Sequence, residues 1–391
     1  MADVFDGDVD GARRRETALC GSLRWARHRL RQVRLYGRAL RRLAKQELKS
    51  PTPPGGRRPR WWLRGFLSQS VAQYQMDTST RHGYVTDYQR YRSTRRLVHP
   101  RLQDAIKNRL TTSLLLRNLD VRTVTLLGIY WRGGVHRFPT ETRTPLASYL
   151  QELTPGRQIV FRSITGSAEN GSFQIDRLGD VYALDGRTCE LKQIAKRIRA
   201  LKRPMVVEEA WRQHDDLRAL YPDATNIVRV VTMPDPLTGL PYIPIALQFI
   251  GARDSTAKSD VTKNGMSTRI DLETGRLGRA AFVSENRTVD WCDVHPDTGA
   301  TIVGRLVPHW DLVRSAALHA ARALTFLEVV AWDLTVDSEG PLVLRANVDI
   351  GMSLVQIHQP LLSDPRVREY LVSRGVVPQP AFGRPAGRRS P

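Results

Sequence analysis

The chain has 391 residues, and 60 lysine and arginine residues against 39 aspartate and glutamate residues give a formal charge of +21. A hydrophobic fraction of 41% excludes a disordered chain, and this length supports one large core or two moderate cores. The three cysteines lie far apart without metal-ligand spacing, which argues against a disulfide framework and a zinc site. No apolar run approaches a membrane span of about 18 residues, and no signal-peptide pattern opens the chain, so a cytoplasmic protein is expected.

The N-terminal region carries much of the positive charge. Between Arg13 and Lys49, basic residues outnumber acidic ones and apolar residues recur with a helical period, which predicts one long cationic helix. The segment Pro51–Gly56 has the composition of a linker, so residues 1–60 are expected to form a separable basic helical arm with its linker. Its arginines suit a polyanion such as nucleic acid or an anionic lipid surface, and they equally suit a packed helix with a solvated face.

Helical periodicity returns after an aromatic and polar stretch without a clear period. Leu102–Leu119 is predicted to be a helix, in which Lys107 and Arg109 suit a solvated face. Val121–Tyr130 follows as a predicted β-strand. Residues 61–155 are therefore expected to form a helical and strand region that leads to the main domain.

A small polar loop joins two predicted strands, the first ending at Arg162 and the second at Ile175. The loop carries Gly166, Ser167 and Gly171, residue types that let backbone N–H groups approach phosphate oxygens closely. The guanidinium of Arg162 at the strand end suits the same anion. Two interpretations stay open, a phosphate-binding loop and a plain turn between strands.

Two later strands carry charged residues at unusual positions. The strand over residues 204–211 ends in Glu208 and Glu209, and acids at such a place also suit the start of a surface helix. Arg229 lies on a predicted central strand, where burial of an unpaired cation is expensive. It therefore needs an anionic ligand or a structural partner, for which Asp333 is a candidate.

The most informative segment is the β-hairpin predicted over Trp332–Gly351. A three-residue loop with Gly340 in the left-handed conformation would pair Asp337 with Pro341 and place Asp333 opposite Arg345. Side chains alternate along strands, so this register puts the polar residues on one face and the apolar residues on the other. The polar face would hold Asp333, Thr335, Arg345 and Asn347, and the apolar face Leu334, Leu342, Leu344 and Ala346.

The hairpin resembles the last metal-binding hairpin of the ATP-grasp superfamily, where an acidic residue precedes a Glu-x-Asn sequence on the next strand. Asp333 and Asn347 match the acid and the asparagine, whereas Arg345 stands where the family has glutamate. Within this superfamily, the sequence of the hairpin motif is most similar to that of the sugar-transfer-associated, alpha-L-glutamate ligase-related group. The segments HPDTG at residues 295–299 and TNIVRVVT at residues 225–232 resemble that group as well.

The resemblance implies an α+β ATP-grasp fold, with a small lid subdomain and a larger sheet subdomain that close on ATP. It places the ATP-grasp core at residues 156–377, followed by a Pro/Gly/Arg tail at 378–391 with too little apolar content to fold. The implied chemistry is activation of a small-molecule carboxylate by ATP to an acyl phosphate, followed by attack of an amine. The cofactors implied are ATP and Mg²⁺, and the enzyme class is an ADP-forming carbon–nitrogen ligase.

The resemblance also assigns site residues. Asp333 and Asn347 would hold a metal ion, and Arg229 and Arg345 would act as catalytic residues. The expected nucleotide contacts are Arg162, Gly166, Ser167, Gly171, Glu208, Glu209 and Asn226. Because Arg162 replaces the lysine of the family and Arg345 replaces its glutamate, a second hypothesis is a degenerate ATP-grasp protein that binds nucleotide or another polyanion without ligation.

Overall fold

The computed structural model describes residues 37–49, 56, 58–92, 97–140, 142–165, 172–253, 265–284 and 288–379. Two antiparallel sheets, each with its own hydrophobic core, make up most of this part of the chain, and a third, smaller core lies at the N-terminal side. Mixed helices and antiparallel strands confirm the predicted α+β class. No helix in the described ranges has the length and apolar character that a bilayer crossing requires.

The N-terminal region is helical. Its helices are α1 at 37–49, α2 (Pro59–Trp62), α3 (Ser68–Gln73), α4 (Asp87–Arg92), α5 (Pro100–Lys107) and α6 (Arg109–Asn118), with a 3₁₀ turn at Thr80–Gly83. Helix α1 lies within the predicted basic helix, while the remainder of that prediction, residues 13–36, lies outside the described ranges. Ala39, Leu43 and Glu47, spaced one helical turn apart, are buried, and Glu47 Oε2 accepts a hydrogen bond of 3.0 Å from Ser68 N. This part of the arm is packed on the fold, and the boundary at residue 60 stays a prediction.

The single helix predicted over 102–119 is in fact two helices. Asn108 has an extended conformation (φ −78°, ψ 113°), and its side chain accepts a hydrogen bond of 3.2 Å from Thr111 N. Asparagine favours such an N-cap because its side chain competes with the helix for backbone hydrogen bonds. The break ends α5 at Lys107 and makes Arg109 the first residue of α6.

The first sheet has eight strands in the order β3-β2-β1-β8-β4-β5-β6-β7. These are β1 (Leu126–Trp131), β2 (Gly134–Arg137), β3 (Arg143–Pro145), β4 (Gln158–Ser163), β5 (Phe173–Leu178), β6 (Val181–Leu184), β7 (Arg187–Cys189) and β8 (Met205–Glu209). Helices α7 (Leu146–Gln151) and α8 (Leu191–Ala200) contribute Leu150 and Ile194 to its core. The predicted division at residues 155 and 156 cuts this sheet, because β1 pairs with β8 across a sequence separation that local patterns do not reveal.

The second sheet has seven strands in the order β13-β12-β11-β10-β9-β14-β15. These are β9 (Ile227–Pro234), β10 (Pro241–Ile250), β11 (Met266–Ile270), β12 (Leu277–Val283), β13 (Val289–Cys292), β14 (Val330–Asp337) and β15 (Gly340–Asn347). The helices of this part of the chain are α9 (Asp215–Arg218), α10 (Trp310–Ala323), α11 (Met352–His358) and α12 (Pro365–Ser373), with a 3₁₀ turn at Leu361–Ser363. Val313, Ala317 and Ala320 on α10 are fully buried in the core of this sheet.

Helix α11 lies over the sheet face that carries Arg229. Its N-cap, Gly351, is next to Arg229, and His358 at its other end lies 2.9 Å from Ser267 Oγ on β11. Burial, with the charge of Arg269 added, lowers the pKa of His358 to about 4. The ring is therefore neutral at neutral pH, and it anchors the end of α11 without adding charge to this face.

Candidate functional site

The centre of the second sheet carries a row of charged residues. Asp333 on β14 lies between Arg229 on β9 and Arg345 on β15, and it is the direct cross-strand partner of both. The predicted opposition of Asp333 and Arg345 is confirmed. The register brings a buried strand arginine and a buried strand carboxylate together, which is the structural partner that the sequence left open for Arg229.

The turn of the β14–β15 hairpin differs from the prediction. Asp337 pairs with Gly340 rather than with Pro341, and the ladder shifts by one residue beyond Asp333 so that Leu344 is a bulge. The different pairing at the turn and the one-residue shift compensate each other at Asp333, which therefore still lies opposite Arg345. They do not cancel nearer the turn, where Leu342 lies opposite Thr335 and thus on the face predicted to be polar.

Asp333 accepts four hydrogen bonds. Arg229 binds it with two parallel bonds, from Nε to Oδ1 at 2.7 Å and from Nη2 to Oδ2 at 2.9 Å. Oδ2 also accepts from Arg345 Nε at 2.6 Å and from Asn347 Nδ2 at 2.8 Å. The Asp333 side chain has no exposed surface, so its neighbours cover the carboxylate completely.

Electrostatics keep this carboxylate ionised. Burial raises the pKa of Asp333, but the charges and hydrogen bonds of Arg229 and Arg345 outweigh burial and lower it to about 2. A folded-state pKa below the ordinary 3.8 stabilises the fold at pH values above 3.8, and this contribution is lost as the pH falls toward 2. Asp333 is therefore an anion that neutralises the cations around it.

A second buried carboxylate lies on the first sheet. Glu208 Oε2 is 2.9 Å from Arg162 Nε, and Glu208 Oε1 is 3.9 Å from Arg109 Nη1. Burial lowers the pKa of Arg109 to about 10, Glu208 opposes this change, and the charges of Arg162 and Arg345 add to it. The Nε of Arg109 is buried and has no hydrogen-bond partner.

Because the charges of Arg162 and Arg345 both act on Arg109, we name the two carboxylates and their arginines together the arginine cluster; its members are Arg109, Arg162, Glu208, Arg229, Asp333 and Arg345. Among these six residues, four guanidinium groups stand beside two carboxylates. The carboxylates are covered, with 0% of Asp333 and 2% of Glu208 exposed, whereas 25% of Arg345 and 15% each of Arg109 and Arg162 are exposed. A ligand that reaches the cluster meets guanidinium groups first.

A cleft of about 540 Å³ begins at Arg162 and runs between the first sheet and the segment that connects β8 to β9. Val160 and Trp211 contribute apolar wall, and Gln213 lies at the side of the second sheet. Only 7% of Gln213 is exposed, and its Oε1 accepts from Asn226 N at 2.8 Å. Its Nε2 has no partner, which leaves a buried donor at the wall of the cleft.

A comparison with protein-family models identifies the family. The model described as "Sugar-transfer associated ATP-grasp" matches residues 88–366. The chain belongs to this ATP-grasp family. A search of curated proteins finds no match.

Solved ATP-grasp structures are similar to this chain at low identity. One is D-alanyl-alanine synthetase A from Vibrio cholerae, with 14% identity, a TM-score of 0.40 and coverage of 69% of this chain and 64% of that chain. Another is N5-carboxyaminoimidazole ribonucleotide synthetase from Thermotoga maritima, with 10% identity, a TM-score of 0.32 and coverage of 72% and 48% respectively. This chain thus spans less than two thirds of either relative. The family assignment rests on the family model.

The ATP-grasp resemblance predicts a metal ion at Asp333 and Asn347. In the observed arrangement, the side-chain atoms of these two residues are not placed to bind a metal ion. Both oxygens of Asp333 are occupied by donors, and Asn347 turns its Nδ2 toward them. In the part of the chain that the structure describes, no three His, Cys, Asp or Glu residues come together as a possible metal site. A hard cation needs several free oxygen ligands, and here the oxygens face guanidinium groups.

Two other predicted contacts of the ATP-grasp nucleotide site lie elsewhere. Asn226 is fully buried, donates through Nδ2 to the carbonyls of Leu217 and Tyr221 at 2.7 and 2.9 Å, and accepts from Gly251 N at 3.0 Å. It fastens the loop before β9, so its side chain is not directed at a ligand. Glu209 points away from Glu208, as alternation requires, and pairs with Arg157 at 2.9 Å.

The predicted loop residues Gly166, Ser167 and Gly171 lie outside the described residues, so their role stays a prediction. In the sequence analysis, Arg109 was placed on a solvated helix face and was not included among the expected site residues. Its pattern suits a solvated helix face, whereas in the structure it follows the helix break at Asn108 and lies beside Glu208. The asparagine before it was the available signal, because Asn is a common N-cap.

A test of the packing around Arg229 uses Gly351. Its φ is 66°, and an added Cβ would lie 2.9 Å from Arg229 Nη1. We expect Gly351→Ala to lower the free energy of unfolding by about 2 kcal/mol, through left-handed strain and displacement of the arginine. Gly299 is the matched control, because its φ is 70° and no atom lies within 4 Å of its Cβ position. Chemical denaturation of both variants separates strain from contact, and equal losses would mean that the contact with Arg229 contributes nothing.

Proposed function

We propose that this ATP-grasp protein binds ATP between its two sheets, with the base and ribose in the cleft beside Trp211 and Gln213 and the phosphates at the arginine cluster. The observation that carries the proposal is the position of Arg162, which lines the cleft and is also a member of the cluster. The cleft offers three features that suit a nucleotide. Its apolar wall suits the base, its unpaired amide donor suits the sugar, and the cations of the cluster suit the phosphates.

The reaction we propose is that of an ADP-forming carbon–nitrogen ligase. ATP would phosphorylate a small-molecule carboxylate, and an amine would then displace the phosphate from the acyl phosphate. The guanidinium groups of Arg345 and Arg162 would stabilise the charge of the transferring phosphoryl group. Family membership supports this reaction class, and the substrate, the acceptor and a cytoplasmic location remain predictions.

A second candidate function is nucleotide or polyanion binding without ligation. The observation that favours it is the coverage of Asp333, since a carboxylate held by four donors cannot bind an ion or accept a proton readily. ADP release in the presence of a panel of amino acids and sugar acids distinguishes the two candidates. Release that depends on a carboxylate and an amine supports the ligase, and ATP binding without any release supports the binder.

The nucleotide assignment predicts that ATP raises the melting temperature. A ligand at one hundred times its dissociation constant stabilises the native state by about 2.7 kcal/mol. We expect Arg162→Gln to remove most of this shift because it takes a cation from the meeting point of cleft and cluster. Arg157→Gln removes only an exposed ion pair with Glu209, which faces away from Glu208 and the cluster, and it is expected to keep the shift. An unchanged shift in folded Arg162→Gln would contradict the assignment.

A further inference from the structure

Both carboxylates of the arginine cluster are covered by their neighbours, which affects how the cluster would bind a phosphate group. A divalent cation that bridges a protein to phosphate needs carboxylate oxygens that are open to the ligand. Asp333 exposes no surface, and 2% of Glu208 is exposed. Displacing Arg345 or Asn347 from Asp333 would break bonds of 2.6 and 2.8 Å to a buried anion. Such a break removes a hydrogen bond from a fully buried carboxylate, which is costly.

The accessible atoms of the cluster are donors. The charge of Arg345 contributes to the lowered pKa of Arg109, although the two residues belong to different parts of the fold. Arg109 Nε is buried and has no hydrogen-bond partner, and within the cluster four guanidinium groups stand beside two carboxylates. An unpartnered donor within a group of positive net charge is complementary to an anion that carries several oxygens.

We infer that the arginine cluster binds the phosphates of the nucleotide directly, so that nucleotide binding at this site does not require a divalent cation. This inference rests on the proposed nucleotide site. The guanidinium groups take the place of the metal in neutralising phosphate charge. The uncomplexed triphosphate carries more negative charge than its magnesium complex, so a site of positive net charge favours the uncomplexed form.

Isothermal titration of the full chain with ATP, once in EDTA and once in excess Mg²⁺, tests the inference. We expect an affinity in EDTA that equals or exceeds the affinity in Mg²⁺. Inorganic triphosphate should bind in EDTA as well, and adenosine should bind more weakly than ATP by at least tenfold. ATP binding that appears only with Mg²⁺ would overturn the inference and leave the proposed function intact. ATP binding in neither buffer would overturn the proposed function itself.

Two variants locate the effect at the cluster. Arg109→Gln and Arg345→Gln each remove one cation, and each is expected to weaken ATP binding in EDTA by about tenfold or more. Arg157→Gln, outside the cluster, should bind as the parent does. If a variant fails to give a cooperative thermal transition, the comparison of EDTA with Mg²⁺ on the parent protein still decides the matter. Parent-like binding by both folded variants would contradict direct phosphate contact.

Discussion

Replacing Asp333 with alanine is expected to lower the free energy of unfolding by about 3–5 kcal/mol, a large part of the stability of an ordinary domain. The substitution removes both hydrogen bonds that Arg229, of which 6% is exposed, donates to Asp333, and it also removes one hydrogen bond each from Arg345 and Asn347. Two cations would then face each other across the position of one lost anion. Urea denaturation followed by circular dichroism measures the loss.

The control for this prediction is Asp290→Ala. Asp290 is an exposed residue on β13 of the same sheet, so its removal is expected to change stability by about 0.5 kcal/mol or less. If Asp333→Ala were as stable as this control, the ion pairs at the centre of the sheet would contribute nothing, and the arginine cluster would have to hold together in another way.

Arg345→Glu is expected to destabilise the protein in EDTA, and Mg²⁺ is expected to restore part of the loss. The substitution places a second carboxylate directly opposite Asp333, where like charges repel at the centre of a sheet. Two carboxylates beside the Asn347 amide would supply hard oxygen ligands, which guanidinium cannot. Melting temperatures in EDTA and in Mg²⁺ measure both effects.

Arg345→Gln separates the two causes. It removes the same cation without adding a carboxylate, so it should lose stability in both buffers and gain nothing from Mg²⁺. A parent-like Arg345→Glu variant, equal in stability and in its response to Mg²⁺, would mean that residue 345 does not contact Asp333. That result would also remove the basis for the inference about metal-free phosphate binding.

The sequence predicted the part of the site that depends on alternation along strands. Asp333, Arg345 and Asn347 were placed on one face by the period of two, and a buried arginine on a central strand required a partner. The pairing of Arg229 with Asp333 spans 104 residues, and it could be named as an alternative only because a buried cation needs an anion. The cost of burying a charge thus predicted that Arg229 has an anionic partner, and the order of the strands places Asp333 beside it.

The remaining features depend on long-range geometry that local patterns do not carry. The pairing of β1 with β8 joins distant segments into one sheet, so a boundary drawn from local composition cut through it. Arg109 follows a helix break whose direction is set by packing, and its inward position is not readable from charge alone. Asn226 stands within a family-like motif, yet its amide is fully used by backbone groups of its own loop.

Because Leu344 forms a bulge, the residue pairing near the turn of the β14–β15 hairpin differs by one residue from the pairing of its charged residues. On the turn side of the bulge the ladder runs from Leu334–Val343 to Asp337–Gly340, and on the other side Asp333 pairs with Arg345. A chain without Leu344 would continue the first ladder directly into the Asp333–Arg345 pair without any shift. Position 344 can therefore absorb a one-residue deletion, whereas a deletion anywhere between Arg345 and Asn347 would turn one of these side chains to the opposite side of the sheet.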